Sequence, residues 1–387
     1  MYKYHCLNPL SQTGLDHFNT NYQKTEEITD ADCVLVRSAK MHDITLDQKT
    51  VAVARAGAGV NNIPLEAYAK QGVVVFNTPG ANANGVKELV IAGMIMASRD
   101  VVGGVNWSRE NASDPDISKN MEKAKKQFKG TELSGKKLGV IGLGAIGQMV
   151  ANAAVSLGME VYGYDPYISV NAAWNLSREV HHETNPARLY AEADFITVHI
   201  PLLDSTRGMI NREAIESMKK GVILLNYSRD VIYDEAAVMD GIAAGKIRKY
   251  VTDFPNPLTA GKEGVIATPH LGASTDESEE NCAVMAVKEI MDYMENGNIT
   301  HSVNYPDCNM GICTADGRLA LLHHNTKGVI AKYTSILGDA GLNITDMTNK
   351  GKGDFAYSLL DYDGELTEET IQALNAIDEV YKVRVIK

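Results

Sequence analysis

Short apolar runs alternate with polar or amphipathic segments along most of the chain. Tyr2–Leu7, Cys33–Val36, Val51–Ala54 and Val73–Phe76 read as strands with helix-like pieces between them, the pattern of a small parallel α/β domain. Asn82–Arg99 reads as a long helix with Val86, Leu89, Val90, Gly93, Met94 and Ala97 on one side. It is expected to leave the first domain and pack between domains or subunits. Residues 108–135 are polar and charged and read as a surface crossing. Leu138–Ile141 is a short, bounded, β-branched run, as in a buried parallel strand. Ile146–Leu157 then repeats at helical spacing, Gly158 stops it, and Val161–Tyr164 makes a second strand.

Alternation resumes with strands at Phe195–His199, Gly221–Asn226, Tyr250–Thr252 and Val265–Thr268, and with clear helices at Ala236–Gly245 and Ser274–Asn296. The last helix is expected to return to the first domain. The pattern therefore predicts a discontinuous first domain (1–92 and 278–312) and a second domain at 93–277. After a linker rich in turn residues, 317–387 reads strand, helix, strand, strand, helix, strand, a ferredoxin-like βαββαβ order. The fold class expected is α/β, with two doubly wound parallel-sheet domains and a small C-terminal domain.

Composition narrows the partners. A net charge of −12 argues against nucleic acid and anionic membrane, so an anionic substrate needs a local cluster of cations. Cys6, Cys33, Cys282, Cys308 and Cys313 are odd in number and scattered, as suits a reducing cytoplasm. Cys308 and Cys313 have no second pair or histidine cluster to complete a metal site, so no metal is expected. The longest apolar stretch, Leu89–Ala97, is too short to span a bilayer, and the N-terminus lacks a signal pattern.

The densest chemistry lies between the strands at 138–141 and 161–164. Gly142-x-Gly144-x-x-Gly147 opens the intervening helix, and Asp165 ends the second strand. Gly142 permits a tight turn, Gly144 a close approach of backbone to a pyrophosphate, and Gly147 close helix–strand packing. The helix N-terminus offers N–H groups to phosphate. Asp165 suits the ribose hydroxyls and repels a 2′-phosphate, which points to NAD rather than NADP. The alternative is an ordinary βαβ unit with no nucleotide.

Arginines follow two strands of the first domain, in Arg37-Ser38-Ala39-Lys40 and in Arg55-Ala56-Gly57-Ala58-Gly59, where ligands of open α/β sheets bind. The alternative is a pair of solvated surface arginines. Arg229 and His270 follow two strands of the second domain. A guanidinium can grip a carboxylate and polarise a forming carbonyl, and an imidazole can take up a hydroxyl proton as hydride leaves.

With RSAK (37–40), RAGAGVNN (55–62), GLGAIG (142–147), YDP (164–166), HIPL (199–202), NYSR (226–229) and PHLGAST (269–275), the chain resembles the D-isomer-specific 2-hydroxyacid dehydrogenases over essentially its whole length. The resemblance implies a Rossmann NAD-binding domain touched by Ala145, Ile146, Asp165, Pro201, Tyr227, Ser228, Asp253, Gly272 and Ala273. It implies substrate contacts at Arg37, Ser38, Lys40, Arg55 and Gly57, and catalysis by Arg229 and His270. The expected substrate is 3-phosphoglycerate, and the expected assembly a homodimer or homotetramer. Residues 317–387 resemble an ACT regulatory domain, with His323, Asn325 and Asn343 falling where contacts to an effector, L-serine, are expected. Lys327 stands where proline is usual. A nucleotide-sensing regulator on the same fold is the rival of another class, and no basic segment favours it.

One departure concerns the histidine. The family usually carries Asp-Val-Phe-x-x-Glu-Pro, whose Glu pairs with the catalytic His, and this chain reads Asp253-Phe254-Pro255-Asn256-Pro257. Asn256 Oδ1 is expected to accept from the His270 ring, fixing the tautomer without supplying charge. The alternative is that Asp253 turns to His270.

Overall fold

The apolar runs become strands buried on both faces, as parallel sheets covered by helices require. The structure is a computed structural model that describes residues 1–387. It divides into two units, Met1–Asn82 with Asp276–Lys387, and Ala83–Thr275.

In the first unit, β1 (Tyr2–Cys6), β2 (Tyr22–Lys24), β3 (Cys33–Val36), β4 (Ala52–Arg55) and β5 (Val74–Asn77) form a parallel sheet of order β2-β1-β3-β4-β5. In the second, β6 (Lys137–Ile141), β7 (Glu160–Tyr164), β8 (His181–His182), β9 (Phe195–Val198), β10 (Val222–Asn226), β11 (Ile247–Thr252) and β12 (Val265–Ala267) form a parallel sheet of order β12-β11-β10-β9-β6-β7-β8. This is the doubly wound dinucleotide-binding order, with its reversal between β6 and β9.

The helix Ala83–Ser98 belongs wholly to the second unit. Val86, Val90, Met94 and Ala97 share a core with Leu138, Val140, Val150, Leu225 and Val251. A Cβ on Gly93 would stand 2.4 Å from the Tyr227 hydroxyl, so glycine is what lets this helix lie against the sheet. The division between units therefore falls after Asn82, not after residue 92. The helix Val101–Glu110 runs into the stretch read as a polar crossing, which contains a second helix at Ile117–Ala124. The Asp100 carboxylate caps the first by accepting from Gly103 N at 2.9 Å.

The C-terminal segment has the expected βαββαβ order. β13 (Gly317–His324), β14 (Asn343–Lys352), β15 (Phe355–Asp363) and β16 (Val380–Val385) form an antiparallel sheet of order β14-β15-β13-β16. One face of this sheet has its own core, with Leu319, Leu321 and Leu360 under Val329, Tyr333, Leu337 and Leu374 of the two helices, and the other face shares its core with the first sheet. Ala320, Leu322, Tyr357 and Leu359 from this sheet join Tyr4, Leu35, Ala54 and Phe76 from the first sheet, and Ile290 and Tyr293 from the helix Asp276–Asn296. Residues 317–387, read from the sequence as a separate domain, are thus part of the first unit.

Buried cations fasten this seam. Arg318, fully buried, donates to both Asp361 oxygens at 2.5 and 2.8 Å and to the carbonyls of Asn296 and Gly311 at 2.9 and 2.5 Å. Arg384 lies 4.1 Å over the Tyr293 ring and donates to the Tyr293 carbonyl at 3.3 Å. Both arginines therefore meet carbonyls in the last turn of one helix, where a cation suits the dipole. Lys382 donates to the carbonyls of Gln48 and Thr50 at 2.9 and 3.0 Å, and burial pulls its pKa down to about 8.

Replacing Arg318 with Met strands Asp361 as a buried, unpaired carboxylate. The expected loss is about 3–5 kcal/mol, read as a lower urea midpoint. The Arg318→Met, Asp361→Leu double variant should recover most of it.

Candidate active site

Parallel register lines up the ends of the second sheet. Tyr164, Ile141, Val198, Asn226, Thr252 and Ala267 are Cα partners across six neighbouring strands. The residues that follow each of them, Asp165, Gly142, His199, Tyr227, Asp253 and Thr268, therefore leave the sheet along one edge. Most of the second-unit residues named from the sequence belong to these six loops.

The β6 loop fits a dinucleotide. Gly142 has φ 88°, and a Cβ there would stand 2.5 Å from the His199 carbonyl oxygen. A Cβ on Gly147 would stand 1.8 Å from the Gly142 carbonyl oxygen. Gly144 differs, because nothing lies within 4 Å of where its Cβ would be. No neighbour demands glycine there, and a group drawn against the backbone would. Asp165 accepts from Leu143 N at 2.8 Å and Tyr167 N at 2.9 Å, one bond per carboxylate oxygen, which fixes its plane and leaves lone pairs for a diol. Ala145 and Ile146 begin the helix Ala145–Ser156. His199 completes this corner. Its Nε2 bonds Thr197 Oγ1 at 3.0 Å, its buried Nδ1 has no partner, and burial lowers its pKa to about 3. A buried neutral imidazole with an orphaned nitrogen beside the glycine turn suits a ligand that completes the bond.

Tyr227 and Ser228 hold the scaffold. Tyr227 is 6% exposed with its hydroxyl against Gly93, and Ser228 Oγ donates to the Val198 carbonyl, tying the β10 end to the β9 end. As arranged, neither side chain is free for a cofactor. Pro201 is exposed and its carbonyl accepts from Thr206 Oγ1 at 2.7 Å. Arg229, half-buried, donates to its neighbour's carbonyl, Ser228 O, at 2.6 Å.

Asp253 organises the histidine loop. Its carboxylate, 2% exposed, accepts from Thr268 Oγ1 at 2.6 Å, Leu271 N at 2.8 Å and Gly272 N at 2.7 Å. It is thereby committed to the loop and does not turn to the imidazole. Ala273 follows, partly buried. His270 itself is exposed, has φ 56°, and packs edge-on against Phe254 at 5.0 Å. A left-handed histidine is strained and persists because the Asp253 bonds over-determine the loop.

Asn256 does not bond His270. Its Oδ1 accepts from Leu258 N and Thr259 N at 2.9 and 3.3 Å, forming a local turn, and its Nδ2 donates to Glu235 Oε2 at 2.5 Å. The His270 ring has no protein partner. Glu235, first residue of the helix Glu235–Ala243, is the carboxylate of this corner, and burial raises its pKa. Nothing in the sequence around Asn256 signals it, because the contact is brought about by packing of that helix on β11.

In the first unit, Val36, Arg55 and Asn77 share a register row. Asn8 Oδ1 accepts from the backbone N–H groups of Arg37, Ser38 and Ala39 at 3.0–3.1 Å and so shapes the β3 loop. Arg37 pairs with Glu279 at 2.6 Å, while Ser38 and Lys40 are exposed. Gly57 has φ 147°, and a Cβ there would stand 2.4 Å from Arg55 Nη1, so glycine makes room for that guanidinium. In the C-terminal sheet, His323 is 2% exposed and its Nε2 bonds Asn349 and Ser358 at 3.1 and 3.0 Å. It is a core histidine as arranged, whereas Asn325 and Asn343 are exposed.

Residues 91–272 match the family described as D-isomer specific 2-hydroxyacid dehydrogenase, NAD binding domain. D-3-phosphoglycerate dehydrogenase of Methanocaldococcus jannaschii is 38% identical over 307 residues, covering 76% of this chain and 55% of that protein. The chain belongs to the D-isomer-specific 2-hydroxyacid dehydrogenase family. The human D-3-phosphoglycerate dehydrogenase is 37% identical over 316 residues, 77% of this chain and 56% of its own. The chain thus spans about half the length of these curated relatives. Among solved structures, NAD+-bound 3-phosphoglycerate dehydrogenase from Entamoeba histolytica superposes with a TM-score of 0.60 at 28% identity, covering 78% of this chain and 98% of that one. The cofactor of the family domain is NAD, in agreement with the glycine turn and Asp165. No helix is long and apolar enough to cross a membrane.

Two substitutions test this corner. Asn256→Glu sets a second carboxylate against Glu235, so the variant should melt lower, increasingly so as pH rises and both acids ionise. Asp253→Asn can accept fewer bonds from the loop and should cost about 1–3 kcal/mol, with faster amide exchange at Leu271 and Gly272.

Proposed function

We propose that the protein catalyses NAD-dependent oxidation of 3-phosphoglycerate to 3-phosphohydroxypyruvate, a step that feeds L-serine synthesis. The observation that carries this reading is the single sheet edge from which the Gly142 turn, Asp165, the Arg229 loop and the His270 loop all emerge. The names of the relatives supply the substrate.

NAD, when bound, supplies the hydride acceptor. Gly142, Gly144, Ala145, Ile146, Gly147 and Asp165 hold it. Arg229 grips the substrate carboxylate with two parallel hydrogen bonds and polarises the C2 oxygen. His270, neutral for oxidation, takes the C2 hydroxyl proton, and returns it during ketone reduction. No carboxylate pairs with this ring, since Asp253 is committed to the loop and Glu235 to Asn256.

Arg37, Ser38, Lys40, Arg55 and Gly57 receive the phosphate end. Glu279 competes for Arg37, and an exposed ion pair of this kind is worth about 0.2–1 kcal/mol. The βαββαβ segment acts as the ACT-like part, with Asn325 and Asn343 open to L-serine, in a homodimer or homotetramer.

NADH consumption with 3-phosphohydroxypyruvate, with and without L-serine, against hydroxypyruvate and 2-oxoglutarate, tests the whole reading. Fast turnover of the phosphorylated ketone is expected, lost by about 10²–10⁴ in His270→Asn. Absence of turnover on all three ketones overturns it. Glu279→Gln should lower KM for the phosphorylated ketone by about 1.4- to fivefold and leave that for hydroxypyruvate unchanged.

A further inference from the structure

The first unit contains a group of titratable side chains that the chemistry above does not use. A cavity of about 620 Å³ opens beside the helix Asp276–Asn296, with Ala81, Val284 and Met285 as apolar wall and Glu289, Asp292 and His301 as polar end. Glu289 is 8% exposed. Its Oε1 lies 2.7 Å from His301 Nδ1, and its Oε2 is buried with no partner. An orphaned carboxylate oxygen at this depth is costly to keep.

The surroundings hold it there. Burial, with Asp307 adding, pushes the Glu289 carboxyl up to about 9, so the group holds its proton at neutral pH. His301 has φ 61°, and His270 is the only other non-glycine residue with positive φ. Its backbone is pinned by Asn77 N on the His301 carbonyl at 3.3 Å and by the Phe76–Ser302 bridge. Strain of this kind is retained where the surrounding structure fixes a functional geometry. Asp292, one turn along the helix, is oriented by the side-chain amides of Asn296 and Asn298, each 2.9 Å from its Oδ1. Lys288 also lines the cavity, but it is exposed and screened by water.

We infer that this cavity binds a small primary-ammonium compound, its ammonium group on the free oxygen of Glu289 and its short alkyl body against Val284 and Met285. The carboxyl groups of Glu289 and Asp292 at the polar end disfavour an anion. A neutral alcohol donates one bond and brings no positive charge to favour ionised Glu289. A metal ion lacks a set, since no three His, Cys, Asp or Glu residues gather to ligate one. An ammonium group offers three donors, and a charge-assisted bond to a desolvated carboxylate is the strong kind. The inference is independent of the dehydrogenase reading.

The test is a titration of the full chain carrying ¹³C-methyl methionine, with the Met285 signal assigned through Met285→Leu. n-Butylammonium should move the Met285 methyl saturably, and n-butanol should need at least about tenfold more. Glu289→Gln should bring the two midpoints together. Equal potency of alcohol and ammonium in the unsubstituted chain would show a merely apolar cleft and overturn the assignment. So would an unmoved Met285 signal, or an ammonium preference that survives Glu289→Gln. The first two comparisons need no variant at position 289, so misfolding there cannot mask the result.

Discussion

Parallel pairing in register is the constraint on which the chemistry of the second unit rests. Because Tyr164, Ile141, Val198, Asn226, Thr252 and Ala267 end level with one another, six loops begin at the same height and can address one ligand. A slip of one residue in β6 against β9 would separate Gly142 from the His199 carbonyl, a contact that leaves no room for a Cβ. The glycine pattern, Asp165 and the histidine loop are therefore consequences of one alignment, held by buried apolar strands.

Within that frame, acidic side chains do more positioning than catalysis. Asp165 braces the glycine turn and Asp253 braces the loop of His270, each by accepting backbone N–H groups. Asn8 does the same in the first unit with three consecutive amides. A rigid loop built on a buried acceptor keeps a strained residue such as His270 in place without packing that would cover its ring.

Local pattern made the two parallel sheets, the βαββαβ order and the glycine turn legible, because β-branched runs, turn residues and motif spacing are read within a few neighbours. What it could not convey was any contact made across the fold. Asn256 was expected on His270 and instead bonds Glu235, which arrives from a helix some twenty residues earlier in the chain. Tyr227 and His323 carry motif-like neighbours yet lie in the core, since burial depends on what packs above them. The shared packing of residues 317–387 with the first sheet was hidden for the same reason. One face of β13 and β15 is apolar in the way any sheet face is, and only the tertiary structure shows that Phe76 and Tyr293 cover it.

That shared core has a consequence for how the molecule is made. Tyr357, Leu359 and Arg384 complete the packing around Phe76 and Tyr293, and they are synthesised roughly three hundred residues after Phe76. During translation the second unit can close on its own contiguous stretch while the first waits with part of its apolar face uncovered. The strands that carry Tyr357 and Arg384 then complete a core that Tyr4 began, and the interval between them is the window in which a chaperone would find the chain.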